Sequence, residues 1–159
     1  KVVKACKIIL KKVPGQAELV MENSAGGGQK LGSSVAEIGA MIKKIDSKRM
    51  KVCWDTAHAF EAGVMDEHSL ANIKKLFNEF DKEIGLDKLV ALHVNDSKTP
   101  FDSHHDRHEN IGEGHIGLKG FKNLAKEKRL SHTSWFLEVP GFEGMGPDKK
   151  NIDILKSLF

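Results

Sequence analysis

Cysteine is scarce in this chain: Cys6 and Cys53 are its only two, and no CxxC spacing joins them. That number is too small for a disulfide framework and fits a reducing compartment. Also missing is any apolar stretch near the roughly 18 residues that a membrane-spanning helix needs. The basic opening KVVKACKIILKK carries a short apolar run and no signal-type cleavage site, so an intracellular, cytoplasmic location is expected, without a membrane partner. Nor is there a strong excess of one charge. The 25 basic and 22 acidic residues leave +3, weak grounds by itself for a polyanionic partner. No low-complexity linker divides the sequence, and glycine-rich flexibility is confined to residues 25–28. What is present, 159 residues of 40% apolar and 30% charged content, suits one folded domain or part of one and excludes disordered and fibrous classes.

Short β-branched or apolar runs alternate with longer segments of helical period. Strands are predicted over 18–23 (ELVMEN), 51–55 (KVCWD), 88–94 (KLVALHV) and 135–139 (WFLEV). Helices are predicted over 34–45, 69–84, 118–128 and 147–158, where apolar residues recur at i, i+3, i+4 and i+7. Ser34 and Ser69 stand where N-caps belong. Apolar strands separated by amphipathic helices imply a parallel sheet, because parallel neighbours need crossover connections. The fold class is therefore α/β, open or barrel. In either form ligands collect at the carboxyl ends of the strands.

Metal-capable side chains recur at those ends. Glu22 lies in LVMENSAGGG, Asp55 and His58 in VCWDTAH, and Glu138 in WFLEVP. The loop LHVNDSKTPFDSHHDRHENIGEG holds His93, Asp96, Asp106 and His108, a mixture of imidazole and carboxylate that borderline-hard divalent metals take. Taken singly, most have a plainer account. His93 would be a hydrogen-bonded rim residue, Asp55 and His58 a turn cap beside a surface histidine, and Asp96 a turn cap. Asp106, Arg107 and His108 would be a solvated salt bridge. Glu22 and Glu138 resist such an account, since they end strands expected to be buried, where an unpaired carboxylate costs several kcal/mol. Taken together, the residues predict a metal cluster. His68, His104, His105, His115 and His132 are expected on solvated loops or helix ends.

CWDTAH and the long segment ending in DRHENIGEG are similar to two signatures of the endonuclease IV family, the zinc-dependent apurinic/apyrimidinic endonucleases, and ENSAGGG resembles that family's ENTAGQG turn. The likeness runs over nearly the whole chain. It implies a TIM barrel of eight βα units with a trinuclear zinc site at its carboxyl face. Residues 1–159 would form the C-terminal half of that single domain, with about four βα units. By this resemblance Glu22 matches the carboxylate that bridges the first two zincs. Asp55, His93 and Glu138 match further ligands of the second, and His58, Asp106 and His108 match the protein ligands of the third. The first zinc also takes two histidines from earlier strands, so two of the three sites are complete in this sequence. Departures from the family pattern are Ala57 for Cys, Ser24 for Thr and Gly27 for Gln, and none touches a ligand.

The activity so implied is hydrolysis of the phosphodiester 5′ to an abasic site in double-stranded DNA, a step of base excision repair carried out near the nucleoid. It leaves a 3′-hydroxyl and a 5′-deoxyribose phosphate. Glu22 would hold the bridged metal pair and Glu138 would orient or deprotonate the attacking water. Arg107, Lys98 and His104, with His105, Lys30 and the amides of residues 26–28, would meet backbone phosphates. The clusters Lys43, Lys44, Lys48, Arg49 and Lys119, Lys122, Lys126, Lys128 are expected on a solvated outer face. Two other functions remain open. A sugar isomerase or epimerase of the related barrel superfamily would use Glu22, Asp55, His93 and Glu138 but not the remaining donors, and a noncatalytic zinc-binding fragment would do no chemistry. A half-barrel also exposes sheet edges and an inner wall, which invites self-association or pairing with another half.

Overall fold

The computed structural model describes residues 1–159. In chain order the elements are α1 (Val2–Lys12), β1 (Leu19–Glu22), α2 (Val35–Ile45), β2 (Met50–Asp55), α3 (Thr56–Glu61), α4 (Leu70–Glu83), β3 (Leu89–His93), β4 (Asp96–Ser97), β5 (His108–Glu109), α5 (Gly117–Leu124), β6 (Ser134–Phe136) and α6 (Lys149–Lys156). Four strands form one parallel sheet in the order β1-β2-β3-β6, and β4 and β5 pair antiparallel as a separate ribbon. The chain thus adds each main strand beside the last, with helices as crossovers, as the alternating pattern requires.

Period-two alternation divides the strand side chains between two faces. Met50, Val52 and Trp54 of β2 join the core on one face, where α2 contributes Ile38, Ile42 and Ile45 and α4 contributes Ile73, Leu76, Phe77 and Phe80. Trp54 meets Phe80 edge-on at 5.9 Å, a geometry worth about 0.5–1.5 kcal/mol beyond its buried area. Ser34 caps α2 by accepting from the Glu37 amide, while the Glu37 carboxylate reaches back to the amides of Gly32 and Ser33. Ser69 caps α4 through the Asn72 amide. The register aligns Glu22 with Cys53, Cys53 with Ala91, and Asp55 with His93 and Phe136 on the opposite face. On that face Val20 is 44% and Phe136 52% exposed, so it is the unpacked wall of the sheet.

Several expectations need correction. The predicted fourth strand shrinks to three residues, so Glu138 lies beyond its end, exposed between Leu137, which packs against the core, and the buried Val139. α5 stops at Leu124 and a 3-10 turn, Lys128–Leu130, replaces its expected last part. α6 is shorter at both ends than the 147–158 predicted, because Asp148 caps it through the Asn151 amide and Ser157 closes it. α3 has no counterpart among the predicted helices: its six residues are too few to display a helical period, and in sequence they read as a turn. Arg49 does not belong to a solvated face. Its guanidinium donates to the carbonyls of Leu10, Val13 and Ala17, tying down the end of α1. His68 is buried rather than solvated, packed beside Phe121 with neither ring nitrogen hydrogen-bonded. No helix is long and apolar enough to cross a membrane.

Candidate metal centre

The carboxyl ends of β1, β2 and β3 each deliver one donor, and the segment after β6 delivers another. His93 Nδ1 lies 2.9 Å from Glu22 Oε1, 3.3 Å from Glu138 Oε2 and 3.8 Å from Asp55 Oδ2. The four donor atoms fall within 4.8 Å of one another. Sheet register makes this set, since Asp55 and His93 are direct neighbours across β2 and β3. Two asparagines not singled out in the sequence lock it. Asn23 exchanges hydrogen bonds with the backbone of Asp55, and Asn95 donates to Asp55 Oδ2 at 2.6 Å while accepting from the Glu138 amide. Their signal was position alone, one or two residues beyond Glu22 and His93.

A second set forms where α3 faces the β4–β5 ribbon. His58 Nε2 lies 3.3 Å from Asp106 Oδ1, His108 Nε2 lies 3.6 Å from the same oxygen, and the two Nε2 atoms are 3.3 Å apart. His58 Nδ1 is 2.8 Å from the Asn23 carbonyl and His108 Nδ1 is 3.1 Å from the Glu138 carbonyl. A carbonyl accepts only, so each Nδ1 must donate, which leaves Nε2 with a bare lone pair in the neutral ring. With both rings neutral, two lone pairs and a carboxylate oxygen face one another. That is the donor arrangement of a cation site, and the carbonyl-anchored imidazoles are the usual way of fixing ligand orientation. Metal–ligand distances of about 2.0–2.1 Å in a tetrahedron separate ligands by about 3.3 Å, which these spacings match. The residues therefore fit a zinc-like ion in both sets. Asp55 joins them: its Oδ2 is 3.6 Å from His108 Nε2, and Glu22 Oε1 is 3.4 Å from His58 Nδ1.

Electrostatics agree with an anionic pocket. Burial pushes the Asp55 carboxyl up, against the pull of His58 and His108. Burial would raise Glu22 too, but the hydrogen bond with His93 and the charges of His93, His58 and His108 outweigh it and lower it. His58 is raised, because Asp55 and Asp106 overcome its burial. His93 is pushed up to about 11 by its hydrogen bonds to Cys53 and then Glu22. A bound cation would relieve the same excess of negative charge and keep the imidazoles neutral. One sequence argument proves misplaced. Glu138 is 52% exposed and Glu22 35%, whereas Asp55, whose side chain is 0% exposed, is the buried acid. Glu22 and Glu138 face the open wall; Asp55 lies beneath it.

Asp96 stands in neither set and caps a turn. Its carboxylate accepts from the amides of Ser97, Gly112, Gly114, Ile116 and Gly117, which binds the IGEG turn to the ribbon. Gly114 sits so close that a Cβ there would collide with the Ser97 carbonyl and the Asp96 carboxylate. Arg107, His104, His105, Lys30 and Thr99 line a cavity of about 410 Å³ that ends at Asp106, while Lys98 lies exposed outside it. Arg107 turns back onto the Asp106 carbonyl at 2.7 Å.

A parallel α/β sheet with two adjoining groups of side chains that could hold a metal at its carboxyl edge is the class of protein the fold and site define. The chain belongs to the xylose isomerase-like TIM barrel family, whose model matches residues 2–158. It is 41% identical over 158 residues to "Probable endonuclease 4" of Clostridium botulinum, covering 98% of this chain and 54% of that protein. The protein of the same name from Halothermothrix orenii is 38% identical, with 98% and 56% covered. Among solved structures, endonuclease IV from Thermus thermophilus superposes with a TM-score of 0.78 at 28% identity, covering 95% of this chain and 53% of that one. The likeness to the endonuclease IV family noted in the sequence is thereby borne out. The chain spans about half the length of the curated relatives it matches.

Proposed function

We propose that these residues form the C-terminal half of one barrel domain, and that the domain is a zinc-dependent DNA repair endonuclease. Its reaction would be hydrolysis of the phosphodiester 5′ to an abasic site, giving a 3′-hydroxyl and a 5′-deoxyribose phosphate. One observation carries this reading: two donor sets stand side by side and share the neighbourhood of Asp55. A sugar isomerase of the same barrel class needs only Glu22, Asp55, His93 and Glu138, and would leave His58, Asp106 and His108 converging without use.

Glu22, Asp55, His93 and Glu138 would hold one ion, and His58, Asp106 and His108 another. Such ions, when bound, lower the pKa of water to about 7, neutralise phosphate oxygens and stabilise a leaving alkoxide. The protein's own groups supply the rest. Glu138 is half exposed at the mouth of the site, placed to take the proton of an attacking water. The cavity beside Asp106 offers Lys30, His104, His105 and Arg107 to a phosphate backbone. An abasic nucleotide unstacks cheaply, so its phosphate would reach the mouth of the site. The exposed wall around Val20 and Phe136 would be covered by the complementary half-barrel or by a second copy.

The test is incision of a duplex carrying one stable abasic analogue, by this chain alone, by this chain with a complementing N-terminal half, and after chelation. Cutting 5′ to the lesion is expected in the complemented sample and is abolished by chelation. Glu22→Gln and His108→Ala are each expected to lose bound zinc and at least about 100-fold in cutting together. No incision by the complemented protein, or full incision by either variant, would remove the assignment.

A further inference from the structure

Glu61 ends α3, one turn after His58, and belongs to neither donor set. It is 0% exposed, and its Oε1 collects three donors from across the site: the Ser97 hydroxyl at 2.7 Å, the Arg107 amide at 3.1 Å and the Thr99 hydroxyl at 3.3 Å. Its other oxygen has no partner. A buried carboxylate costs several kcal/mol unless hydrogen-bonded, so an apolar residue would serve better here if packing were the only need. The Arg107 amide lies between Asp106 and His108, and Ser97 stands opposite His108 in the β4–β5 ribbon. The backbone of the same short helix also receives this loop: the Phe60 carbonyl accepts from the Asp102 amide and the Glu61 carbonyl from that of His104. One side chain therefore joins the helix that carries His58 to the ribbon that carries the other two donors.

We propose that Glu61 is a positioning residue, which sets the metal affinity of the His58–Asp106–His108 set by registering the ribbon against α3. The proposal rests on the metal reading of that set. Glu61 acts as an acceptor, and its charge is not the operative property. An amide in its place keeps Oε1 as the acceptor, whereas an isosteric apolar residue leaves the Arg107 amide without one, turns the Ser97 and Thr99 hydroxyls to the Thr99 and His105 carbonyls, and frees the ribbon to shift.

The experiment is a Co²⁺ titration of the 159-residue chain, followed by visible absorption. The band lost in His108→Ala identifies the ribbon set. Glu61→Leu is expected to weaken that band's affinity by about 10–100-fold, the usual cost of losing an outer-sphere partner, and to leave the strand-end set unchanged. Glu61→Gln is expected to stay within about threefold of the unsubstituted protein. Equal affinity in Glu61→Leu, or a loss in Glu61→Gln as large as in Glu61→Leu, would overturn the proposal. Should Glu61→Leu not fold by circular dichroism, Ser97→Ala is expected to weaken the same band by about threefold or more, and no change would overturn it. If His108→Ala removes no band, the metal assignment falls and this role with it. If His108→Ala removes the band and Glu61→Leu does not, only the positioning role falls.

Discussion

The two donor sets are built by different means. The strand-end set draws Glu22, Asp55 and His93 from three hydrogen-bonded strands, so backbone ladders fix their spacing before any side chain contributes. The ribbon set draws Asp106 and His108 from a long excursion between β3 and α5 whose own strands, β4 and β5, pair only with each other, and buried polar clamps do the work of a ladder. Glu61 grips one end of the excursion and Asp96 the other. A sheet positions donors cheaply but only at strand ends. A clamped loop reaches farther, at the cost of burying carboxylates that need hydrogen-bond donors.

The sharpest break of this comparison is Asp55→Ala, because Asp55 touches both sets and also caps α3 through the His58 amide. Both sites are expected to be lost, with a further drop in stability of about 1 kcal/mol from the missing cap. Metal content by mass spectrometry, beside a urea midpoint, checks both. One site retained at full occupancy would show the sets to be independent.

Asp96→Ala is expected to separate them. Five amides lose their acceptor, at a cost of about 3–5 kcal/mol, and the ribbon set should lose its ion while the strand-end set keeps its own. Loss of both ions in a variant that is still folded would show that the ribbon also supports the strand ends.

The smallest effect on metal is expected at His68, which is remote from both sets and whose two ring nitrogens are buried without partners. Burial lowers its pKa from 6.5 to about 4. Between those values the unfolded chain binds the proton and the folded chain does not, so stability is full above pH 6.5 and falls as pH drops towards 4. A depression of that size corresponds to about 3 kcal/mol. His68→Leu is expected to remove this acid sensitivity and add about 1–2 kcal/mol at pH 7, with both ions unchanged. Thermal melts at about pH 7 and about pH 4.5, either side of the unfolded-state value, decide it. A variant as acid-sensitive as the unsubstituted protein would place the titrating group elsewhere.

Much of this was legible in the residues themselves. The four strands, the helices α2 and α4 and the caps Ser34 and Ser69 follow from local pattern, because hydrophobic period and capping chemistry act over a few residues. The donors were legible as residue types at strand ends. Their burial was not. Sequence reasoning buries Glu22 and Glu138 and leaves Asp55 as a turn cap, while in the fold Asp55 lies beneath the other two. Burial depends on which face of the sheet the rest of the molecule covers, and period two cannot report that. α3 and the β4–β5 ribbon, of six, two and two residues, are too short to leave a periodic trace. Residue type places His68 and Arg49 on the surface, and long-range packing overrides it.

The sequence by itself determined the parallel α/β architecture and which residues offer themselves as donors, since both are written in spacing and residue chemistry within short windows. Only the tertiary structure decided that the two sets meet at Asp55, and that Asn23, Asn95, Asp96 and Glu61 hold them there. Those contacts join residues 16 to 46 positions apart, and their hydrogen bonds exist only once the strand ends and the ribbon are brought together.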